Sequence, residues 1–565
     1  MTIVLLTYTR LPCARALDYP EGEVIPQGPY EEGDAQPVGS PWKSLVGMDV
    51  NPGPASSNPK FLGVMNHVLY FAANGGAGEY LWRSNGTASG TYVVKEVQPV
   101  VEAVRFLGGV VRNGVLYFAA ENPQGGDGIE LYRSEGTSSS TELLKEIYPG
   151  AGSSNPRFFT LYKDEVYFVA NTELYGAQIW KTDGTPDGTV QVSNIGSNEN
   201  FTSIIDELSY NAPTNLLLFV GYHSCCGMEL WKSNGTSEGT QLVKDINPGS
   251  ANAFLPPYAG GYKLTRDPNG PFLFNARTAM NGSEPWVSDG TESGTKMLRN
   301  ISSNGDSFST DFVHASGFSF FLASPGPSGA KLWRTNGTPE ATTEVFLDPS
   351  PSFPNVPKSL VSGNGIVYFR YPQSSLEELW RTDTGFTLGF PLTTINPTSR
   401  AEIQGVTTLG KYAFFSAYNE EVGQEIWRTT GEFGPDGQAV VDRLTNKTID
   451  RWAAIPYTQT IARVGCHLIF NGYHGGTFSE NELGIVKYVC ECGDGVVDPN
   501  EECDDGNEND YDSCDSQCHT NGGGGHVCPN GGIVVRDPLT GDFPTCPNAP
   551  SGGNKNIPKG KSLLY

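Results

Sequence analysis

The chain has 565 residues, too many for one compact core of ordinary size, and so predicts several domains or one repeat architecture. Hydrophobic residues make up 38% of it, which excludes wholesale disorder, and acidic residues exceed basic ones to give a net charge of −25. Such a charge disfavours nucleic acid or anionic lipid as a partner, and no apolar run approaches the roughly 20 residues that a membrane span needs.

Residues 1–16 predict a signal peptide. The short apolar stretch from Ile3 to Leu6 is followed by Ala14-Arg15-Ala16, an A-x-A pattern typical of a cleavage site. The alternative is a frayed terminus without processing. Cleavage after Ala16 would remove Cys13, one of eleven cysteines, and leave an even number for pairing. Residues 17–40 are interpreted as an N-terminal extension.

An aromatic motif then recurs along the chain. Successive copies lie 47 to 55 residues apart, with the aromatic residue at Trp82, Tyr132, Trp180, Trp231, Trp286, Trp333, Trp380 and Trp427. In each unit two apolar runs precede the motif, and an Asn-Gly or Asp-Gly turn and a final apolar run follow it. This order predicts four strands per unit with no room for a helix. We expect the motif aromatics to belong to the core, because a residue present in every unit serves packing that every unit shares.

The best-formed copy reads Glu229-Leu-Trp231-Lys-Ser-Asn-Gly-Thr236. It resembles the ELWxxDGT-repeat family over roughly residues 41–490. That resemblance implies an all-β fold, a β-propeller built from four-stranded blades. The sequence departs from the pattern at Tyr132 and Pro285, and the units of Trp380 and Trp427 lack a complete D-G-T.

The two ends of the repeat region predict how the ring closes. The run Ser44 to Val50 matches the outer strand of other units, whereas the last unit, from residue 461 to residue 488, has no outer strand of its own. We therefore expect residues 44–50 to pair with residues 482–488 and to close a nine-bladed ring, which removes exposed sheet edges. Eight blades is the alternative, with the last unit outside the ring.

A cysteine-rich module is predicted at residues 491–519. It resembles a short extracellular repeat with the pattern CGDGxxxxxExCDDGN, whose cysteines match Cys492, Cys503, Cys514 and Cys518. Dense cysteines without any C-x-x-C pair favour disulfides in an oxidising compartment over zinc. We expect these four to pair among themselves, and three connectivities remain open.

Four further cysteines lie near the module. Cys466 and Cys490 are predicted to join the module to the propeller, and Cys528 and Cys546 to close a loop in the Gly/Pro-rich tail, residues 520–565. Within the module, Asp494, Asp504, Asp505 and Asp512 are candidate calcium ligands, because calcium takes six to eight oxygen ligands. The alternative is that these aspartates only form turns, since the order of an EF-hand loop is missing.

Seven N-x-S/T sequons predict N-glycosylation, at Asn85, Asn200, Asn234, Asn281, Asn300, Asn336 and Asn446. Asn85, Asn234 and Asn336 replace the aspartate of D-G-T, and so we expect them on equivalent turns of one face. Asparagine also suits such a turn for its own sake, and both readings can hold together. The adjacent Cys225 and Cys226 either form a vicinal disulfide or stay reduced.

The sequence predicts no catalytic residues and, apart from calcium, no cofactor, because the seven histidines occupy unrelated repeat positions and no catalytic motif is present. We expect an extracellular or cell-surface protein, not an enzyme. Its predicted role is that of a secreted, glycosylated structural or adhesive module of a cell surface, extracellular matrix or filament. Its partners would be extracellular proteins or glycans, with self-assembly as a further expectation. A lectin-like binder and a channel-mouth hydrolase are the alternatives.

Overall fold

The computed structural model describes most of residues 42–488 and two residue pairs beyond, 526–527 and 533–534. The longer stretches left out inside the first range are 100–107, 122–127, 196–204, 255–263, 267–270, 348–355, 373–376, 396–400, 434–438, 445–460 and 475–479. The chain divides into two compact units, Met1–Val489 and Cys490–Tyr565. Every described element is a strand, and the described residues contain no helix long and apolar enough to span a membrane.

The strands of the N-terminal half follow one another at intervals set by the repeat. They are β1 (Trp42–Met48), β2 (Lys60–Met65), β3 (Val68–Asn74), β4 (Glu79–Ser84), β5 (Tyr92–Lys95), β6 (Gln98–Pro99), β7 (Gly109–Arg112), β8 (Val115–Glu121), β9 (Ile129–Ser134), β10 (Glu142–Lys145), β11 (Arg157–Tyr162), β12 (Glu165–Thr172), β13 (Gly176–Thr182), β14 (Val190–Gln191), β15 (Ile205–Asn211), β16 (Leu216–His223), β17 (Gly227–Ser233) and β18 (Gln241–Lys244).

The later strands continue the same order. They are β19 (Thr265–Arg266), β20 (Phe272–Thr278), β21 (Gly282–Ser288), β22 (Lys296–Met297), β23 (Thr310–Ala315), β24 (Phe318–Ala323), β25 (Lys331–Thr335), β26 (Thr343–Glu344), β27 (Phe346–Leu347), β28 (Lys358–Gly363), β29 (Ile366–Pro372), β30 (Glu377–Thr382), β31 (Leu388–Thr393), β32 (Gln404–Leu409), β33 (Tyr412–Asn419), β34 (Gly423–Phe433), β35 (Ala439–Arg443), β36 (Ile461–Val464), β37 (His467–His474), β38 (Glu480–Tyr488), β39 (His526–Val527) and β40 (Ile533–Val534).

These strands form nine repeat sheets, which we number first to ninth, and one small hairpin. In chain order the sheets hold β2–β5, β6–β10, β11–β14, β15–β18, β19–β22, β23–β26, β27–β31, β32–β35, and β36–β38 with β1; β39 pairs with β40. All the pairings are antiparallel except that of β27 with β31. The sequence-predicted order of four strands per unit thus recurs along the chain.

The motif aromatic has the same strand partner in eight sheets. It lies opposite a phenylalanine of the preceding strand, as in Phe71 with Trp82 in the first sheet and Phe219 with Trp231 in the fourth. Ring pairs across strands stabilise a sheet beyond the area that they bury. Trp82 and Trp380 are among the largest fully buried side chains, and Trp231 donates its Nε1 hydrogen to the carbonyl of Gly221 at 3.1 Å. The prediction that the motif aromatics belong to the core is confirmed.

Buried apolar clusters join each sheet to a neighbour. The clusters connect the first sheet to the second and continue in this way to the eighth, so that the second to seventh sheets each pack against two different partners. A further cluster joins the ninth sheet to the first, through Ile469 and Leu483 on one side and Phe61 and Phe71 on the other. Burial of such side chains is worth roughly 1.5–3 kcal/mol each.

Basic side chains add hydrogen bonds between consecutive sheets. Arg133 in the second sheet donates to the carbonyl of Gly184 in the third at 3.0 Å, and Lys232 in the fourth donates to that of Gly290 in the fifth at 3.2 Å. The basic residue after the motif aromatic therefore reaches the glycine turn of the next sheet. Charge-assisted bonds of this kind are stronger than neutral ones, and so they fix the spacing of neighbouring sheets.

The N-terminal strand lies where the sequence places it. β1 is antiparallel to β38, with Trp42 opposite Tyr488 and Met48 opposite Leu483. It therefore supplies the fourth strand of the ninth sheet, whose order is β1-β38-β37-β36. The prediction that residues 44–50 pair with the last unit is confirmed, although β1 ends at Met48 and Val50 instead joins the buried cluster between the ninth and first sheets.

The structure corrects the predicted fold, a closed ring of nine or eight uniform four-stranded blades. The second and seventh sheets have five strands, and no sheet of the described residues closes on itself. The physical reason is that the strand ladders are completed within each sheet, so that neighbouring sheets meet through packed side chains and a few hydrogen bonds to backbone groups. Among the described residues, no buried cluster links the eighth sheet to the ninth, between which residues 445–460 lie outside the description. The all-β class itself is confirmed.

Candidate functional site

One end of the sheets carries a repeated hairpin between the third and fourth strands. In the fourth sheet the Oδ1 atom of Asn234 accepts hydrogen bonds from the Thr236 amide at 3.0 Å and the Thr236 hydroxyl at 2.8 Å. The hydroxyls of Ser233 and Thr240 lie 2.8 Å apart and close the hairpin at its base. Gly235 has a φ of +87°, a conformation that favours glycine.

The same turn occurs in the other complete copies. Asn85, Asp183, Asp289 and Asn336 each bind, through Oδ1, the amide and hydroxyl of the threonine two residues later. The later glycine of the motif is also explained, because a Cβ on Gly239 would lie 1.9 Å from the Oδ1 of Asn234. Hydrogen bonds from the hydroxyl and amide of Thr185 lower the pKa of the Asp183 carboxyl. The D/N-G-T pattern thus encodes an Asx turn.

Three predicted glycosylation sites lie on these turns. Asn85, Asn234 and Asn336 are exposed, and no hydrogen bond of the described residues uses their Nδ2 atoms. Asn281 is half-buried and donates to Thr278, and the exposed Asn300 donates its Nδ2 hydrogen to the Oδ1 of Asn281 at 3.1 Å. The first three are therefore the sequons whose amide nitrogen is free for modification.

Buried glutamates form a second repeated arrangement, which sequence analysis missed. Glu229, the first residue of its motif, accepts the Ile246 amide at 2.8 Å through Oε2 and the Asn247 amide at 3.2 Å through Oε1. Glu130 and Glu284 make the corresponding bonds to two consecutive amides in the segment after the outer strand of their own sheets, Ile147 and Tyr148 for the first and Ile301 and Ser302 for the second. Each of these carboxylates thus anchors a backbone turn. The recurring glutamate before Leu-Trp was the available signal.

The environment of these carboxyls favours a structural role over acid–base chemistry. Burial raises the pKa of Glu229 to about 8, although its backbone hydrogen bonds act in the opposite direction, and burial likewise raises the pKa of Glu130 and of Glu284. In the third sheet the neutral Gln178 stands in the same position and accepts the Ile195 amide at 3.1 Å. A position that an uncharged amide fills equally well serves as a hydrogen-bond acceptor for the backbone.

The opposite end of the fourth sheet carries the Cys225–Cys226 disulfide, so the structure decides the alternative that the sequence left open. The loop Ser224-Cys225-Cys226 connects β16 to β17, and His223 lies opposite Gly227 at its base. The Nδ1 atom of His223 is 3.0 Å from the Sγ atom of Cys225. Among the described residues, these three side chains form the group whose ligand atoms, all within 4.8 Å of one another, could hold a metal ion.

Other predicted sites lie outside the described residues. They are the calcium ligands Asp494, Asp504, Asp505 and Asp512, the sequons Asn200 and Asn446, and the paired cysteines Cys466, Cys490, Cys492, Cys503, Cys514, Cys518, Cys528 and Cys546. The predicted signal peptide, residues 1–16, and the N-terminal extension lie outside them as well. These assignments stay predictions.

No model of a known protein family matches the sequence, and no curated protein matches it either. Among solved structures the chain is similar to dipeptidyl peptidase 4 of Porphyromonas gingivalis, with 10% identity and a TM-score of 0.43 over 74% of this chain and 64% of that one. It is also similar to a puromycin-hydrolyzing peptidase of Mycobacterium tuberculosis, with 11% identity and a TM-score of 0.37 over 76% and 61%. A third similar structure is oligopeptidase B of Leishmania major, with 12% identity and a TM-score of 0.36 over 65% of this chain and 54% of that one.

These comparisons correct the predicted role as an adhesive or structural module, because the three solved structures named above are peptidases. The chain spans less than two thirds of the length of each of them. Identity of 10–12% at these TM-scores transfers no activity to this chain, since one arrangement of strands serves many chemistries. The resemblance to ELWxxDGT repeats stays a prediction.

Proposed function

We propose that the chain is a secreted, N-glycosylated protein that binds an extracellular protein partner without catalysing a reaction. The observation that carries this proposal is the N-G-T hairpin of Asn85, Asn234 and Asn336. Each asparagine is exposed, and its Oδ1 atom accepts a hydrogen bond from the hydroxyl of the sequon threonine. Its Nδ2 atom makes no hydrogen bond within the described residues. The modifying enzyme must reach that nitrogen, and so an ordered, exposed turn is a suitable acceptor.

The disulfide of Cys225 and Cys226 supports the same compartment, since disulfides persist in oxidising environments. The non-catalytic part of the proposal is supported by the hydrogen bonds of the buried carboxyl groups whose pKa is raised. Glu130, Glu229 and Glu284 are fully buried and are bonded to backbone amides of their own sheets, so they do not face a substrate. The net charge of −25 favours a partner with a basic surface.

Glycan occupancy is tested by secretion of the full chain from a glycosylating eukaryotic host, followed by mass mapping with and without endoglycosidase. We expect glycans at Asn85, Asn234 and Asn336, loss of one in Asn234→Asp, and gain of one in Asp183→Asn, because Asp183 already forms the same turn with Thr185. Both substitutions exchange Asn and Asp on an unchanged backbone and are matched controls for each other. Unmodified asparagine at all three positions would overturn the proposal.

The absence of catalysis and the nature of the partner are tested separately. We expect a fluorophosphonate probe, which labels active serine hydrolases, to leave the folded chain unlabelled. Stoichiometric labelling would reverse the non-catalytic part of the proposal and leave the glycan test untouched. Binding of the chain to a panel of extracellular proteins should favour basic partners and weaken as ionic strength rises, because salt screens charge complementarity.

A further inference from the structure

The loop of Cys225 and Cys226 is a tight turn that holds three metal-binding side chains together. The Cys226 amide donates to the carbonyl of His223 at 3.1 Å, which closes the turn. The Nδ1 atom of His223 and the two Sγ atoms lie within 4.8 Å of one another. Cys225 is exposed to solvent, whereas Cys226 is buried. A small ion arriving from solvent would therefore reach this loop from the side of Cys225.

The hydrogen bonding of His223 presents its lone pair to the sulfurs. The Cys225 amide donates to Nδ1 at 3.3 Å, which requires Nδ1 to be an acceptor and leaves the ring proton on Nε2. An imidazole nitrogen that carries a lone pair is the form that ligates metal ions, and zinc at Nδ1 would replace the hydrogen bond from the Cys225 amide. The ring also packs near Trp231, at 6.1 Å between centroids, which restricts its orientation.

The base of the loop is held by residues 251–253, in the segment that follows β18. Gly227 has a φ of +71°, and a Cβ there would lie 2.7 Å from the Ala251 carbonyl oxygen, so this position requires glycine. The Met228 amide donates to the Oδ1 of Asn252 at 2.9 Å, and the Ala253 amide donates to the Met228 carbonyl at 3.0 Å. Because the loop is fixed on both sides, its ligands are positioned before any ion arrives.

We propose that reduction of the Cys225–Cys226 disulfide turns this loop into a zinc site, with Nδ1 of His223 and the two Sγ atoms as ligands. A dithiol reductant supplies two electrons and two protons, breaks the S–S bond and is itself oxidised to a cyclic disulfide. Zn²⁺ then binds the two sulfurs and the imidazole nitrogen, and the two thiol protons are released to solvent. Water completes the tetrahedron.

Zinc fits the donor set better than a hard cation does. Two thiolates and one imidazole are borderline-soft ligands, and two thiolates neutralise the charge of a divalent ion. Zn–S distances of about 2.3 Å and Zn–N distances of about 2.0–2.1 Å place ligand atoms roughly 3.5–3.8 Å apart in a tetrahedron. The three atoms already lie within 4.8 Å of one another, and the sulfurs separate from each other and from Nδ1 to reach these distances once the S–S bond is broken.

The site is tested on the full chain by alkylation and mass mapping, which resolves each cysteine from the other reduced thiols. The chain is reduced with a dithiol, freed of reductant under argon, and alkylated with and without Zn²⁺. We expect Zn²⁺ to slow alkylation of Cys225 and Cys226 by about tenfold or more, because metal-bound thiolate is no longer the free nucleophile. Binding of Co²⁺ should give the visible absorption of a tetrahedral thiolate site.

Three variants separate the ligands from the loop. His223→Asn should lose most of the zinc protection at Cys225, and Cys226→Ser should remove its share of the cobalt absorption, whereas Ser224→Ala, in the same loop, should retain both. Equal alkylation with and without Zn²⁺ in the reduced wild-type chain would overturn the proposal. So would full protection in His223→Asn, because the imidazole would then not be a ligand.

Discussion

The fourth and seventh sheets differ in the hairpin that leads into the outer strand, and the length and pairing of that strand differ as well. In the fourth sheet the complete S-N-G-T-S-E-G-T sequence closes through the hydroxyls of Ser233 and Thr240, and the outer strand β18 has four residues and a single neighbour. In the seventh sheet Asp383 instead accepts the amides of Thr387 and Leu388, and the turn is shorter. Its outer strand β31 has six residues and pairs with both β30 and β27.

The difference shows what the hairpin does for a sheet. In the complete motif, seven residues form the Asx turn before the outer strand begins, and the outer strand is short. The segment after that strand is then held by a buried side chain, which is Glu229 in the fourth sheet. Without the motif, the chain enters the outer strand sooner and offers a longer edge that accepts a fifth strand. That edge leaves Phe346 66% and Leu388 39% exposed. The hairpin thus limits how much edge a sheet presents to its surroundings.

The largest effect is expected from removal of the anchor of the fourth sheet. Glu229→Ala leaves the Ile246 and Asn247 amides buried without an acceptor, and we expect the free energy of unfolding to fall by about 3 kcal/mol. Urea denaturation of the full chain measures it. The exposed Glu238→Ala, on the hairpin of the same sheet, should change stability by less than about 0.5 kcal/mol. Equal effects of the two would mean that the buried carboxylate anchors nothing.

The turn glycines of the two sheets should respond differently to one substitution. Gly235 has a φ of +87°, and an added Cβ would lie 2.6 Å from the Tyr167 hydroxyl oxygen, so Gly235→Ala should cost about 2 kcal/mol. Gly385 lacks a positive φ, and its Cβ would approach only the Asp383 carboxylate, at 3.0 Å; Gly385→Ala should cost less than about 1 kcal/mol. Matching losses in thermal unfolding would remove the distinction between the hairpins.

Backbone exchange should separate the two outer strands without any mutation. β31 has strand neighbours on both sides, whereas β18 has β17 alone. We therefore expect the amides of Leu388 and Gly389, with which β27 pairs, to exchange about tenfold more slowly than those of residues 241–244, since extra backbone hydrogen bonds raise the cost of local opening. Hydrogen–deuterium exchange read by mass spectrometry measures both segments in one sample. Faster exchange in β31 would contradict the comparison.

The last contrast is a difference in pH dependence. Burial raises the pKa of Glu229 from 4.5 to about 8, so the folded state keeps a proton that the unfolded state releases, and stability falls as pH rises from 4.5 to 8. Burial opposes ionisation of Asp383, but the amides of Leu388, Thr387 and Gly385 outweigh it and lower its pKa from 3.8, so its contribution is lost as pH falls below that value.

Two variants isolate these slopes. Glu229→Gln should flatten the decline between pH 4.5 and pH 8 while it keeps an acceptor for the Ile246 amide, as Gln178 does for its own sheet. Asp383→Asn should flatten the acid limb and leave the neutral range unchanged. Unfolding curves recorded from pH 3 to pH 9 give both slopes. An unaltered neutral slope in Glu229→Gln would assign that slope to other groups.

The repeat made much of the fold predictable from the sequence. A phenylalanine opposite each motif aromatic follows from alternating apolar runs at a fixed spacing, and the pairing of β1 with β38 follows from one missing outer strand at the end of the series. The turns themselves follow from the sequence as well, because Asn or Asp before glycine favours a hairpin turn, whereas the side-chain hydrogen bonds that make them Asx turns are seen in the structure. These features depend on local sequence, which repeats.

Other features depend on contacts between distant residues. The fifth strands β6 and β27 come from the linkers between motifs, whose sequences do not repeat, and they form only where a neighbouring edge is open. The state of Cys225 and Cys226 depends on the geometry of a three-residue loop. The element that covers each apolar face could not be predicted either, because the apolar pattern of a strand shows that a face is buried but not what covers it.

The position of β1 beside β38 has a consequence for biogenesis. Trp42 and Tyr488 are about 450 residues apart in the chain, yet they are opposite one another in a single sheet. At ribosomal elongation rates of roughly 5–20 residues per second, the N-terminal strand would emerge about 20 to 90 seconds before its partner. The ninth sheet therefore cannot complete its order β1-β38-β37-β36 until the chain has been synthesised past residue 488.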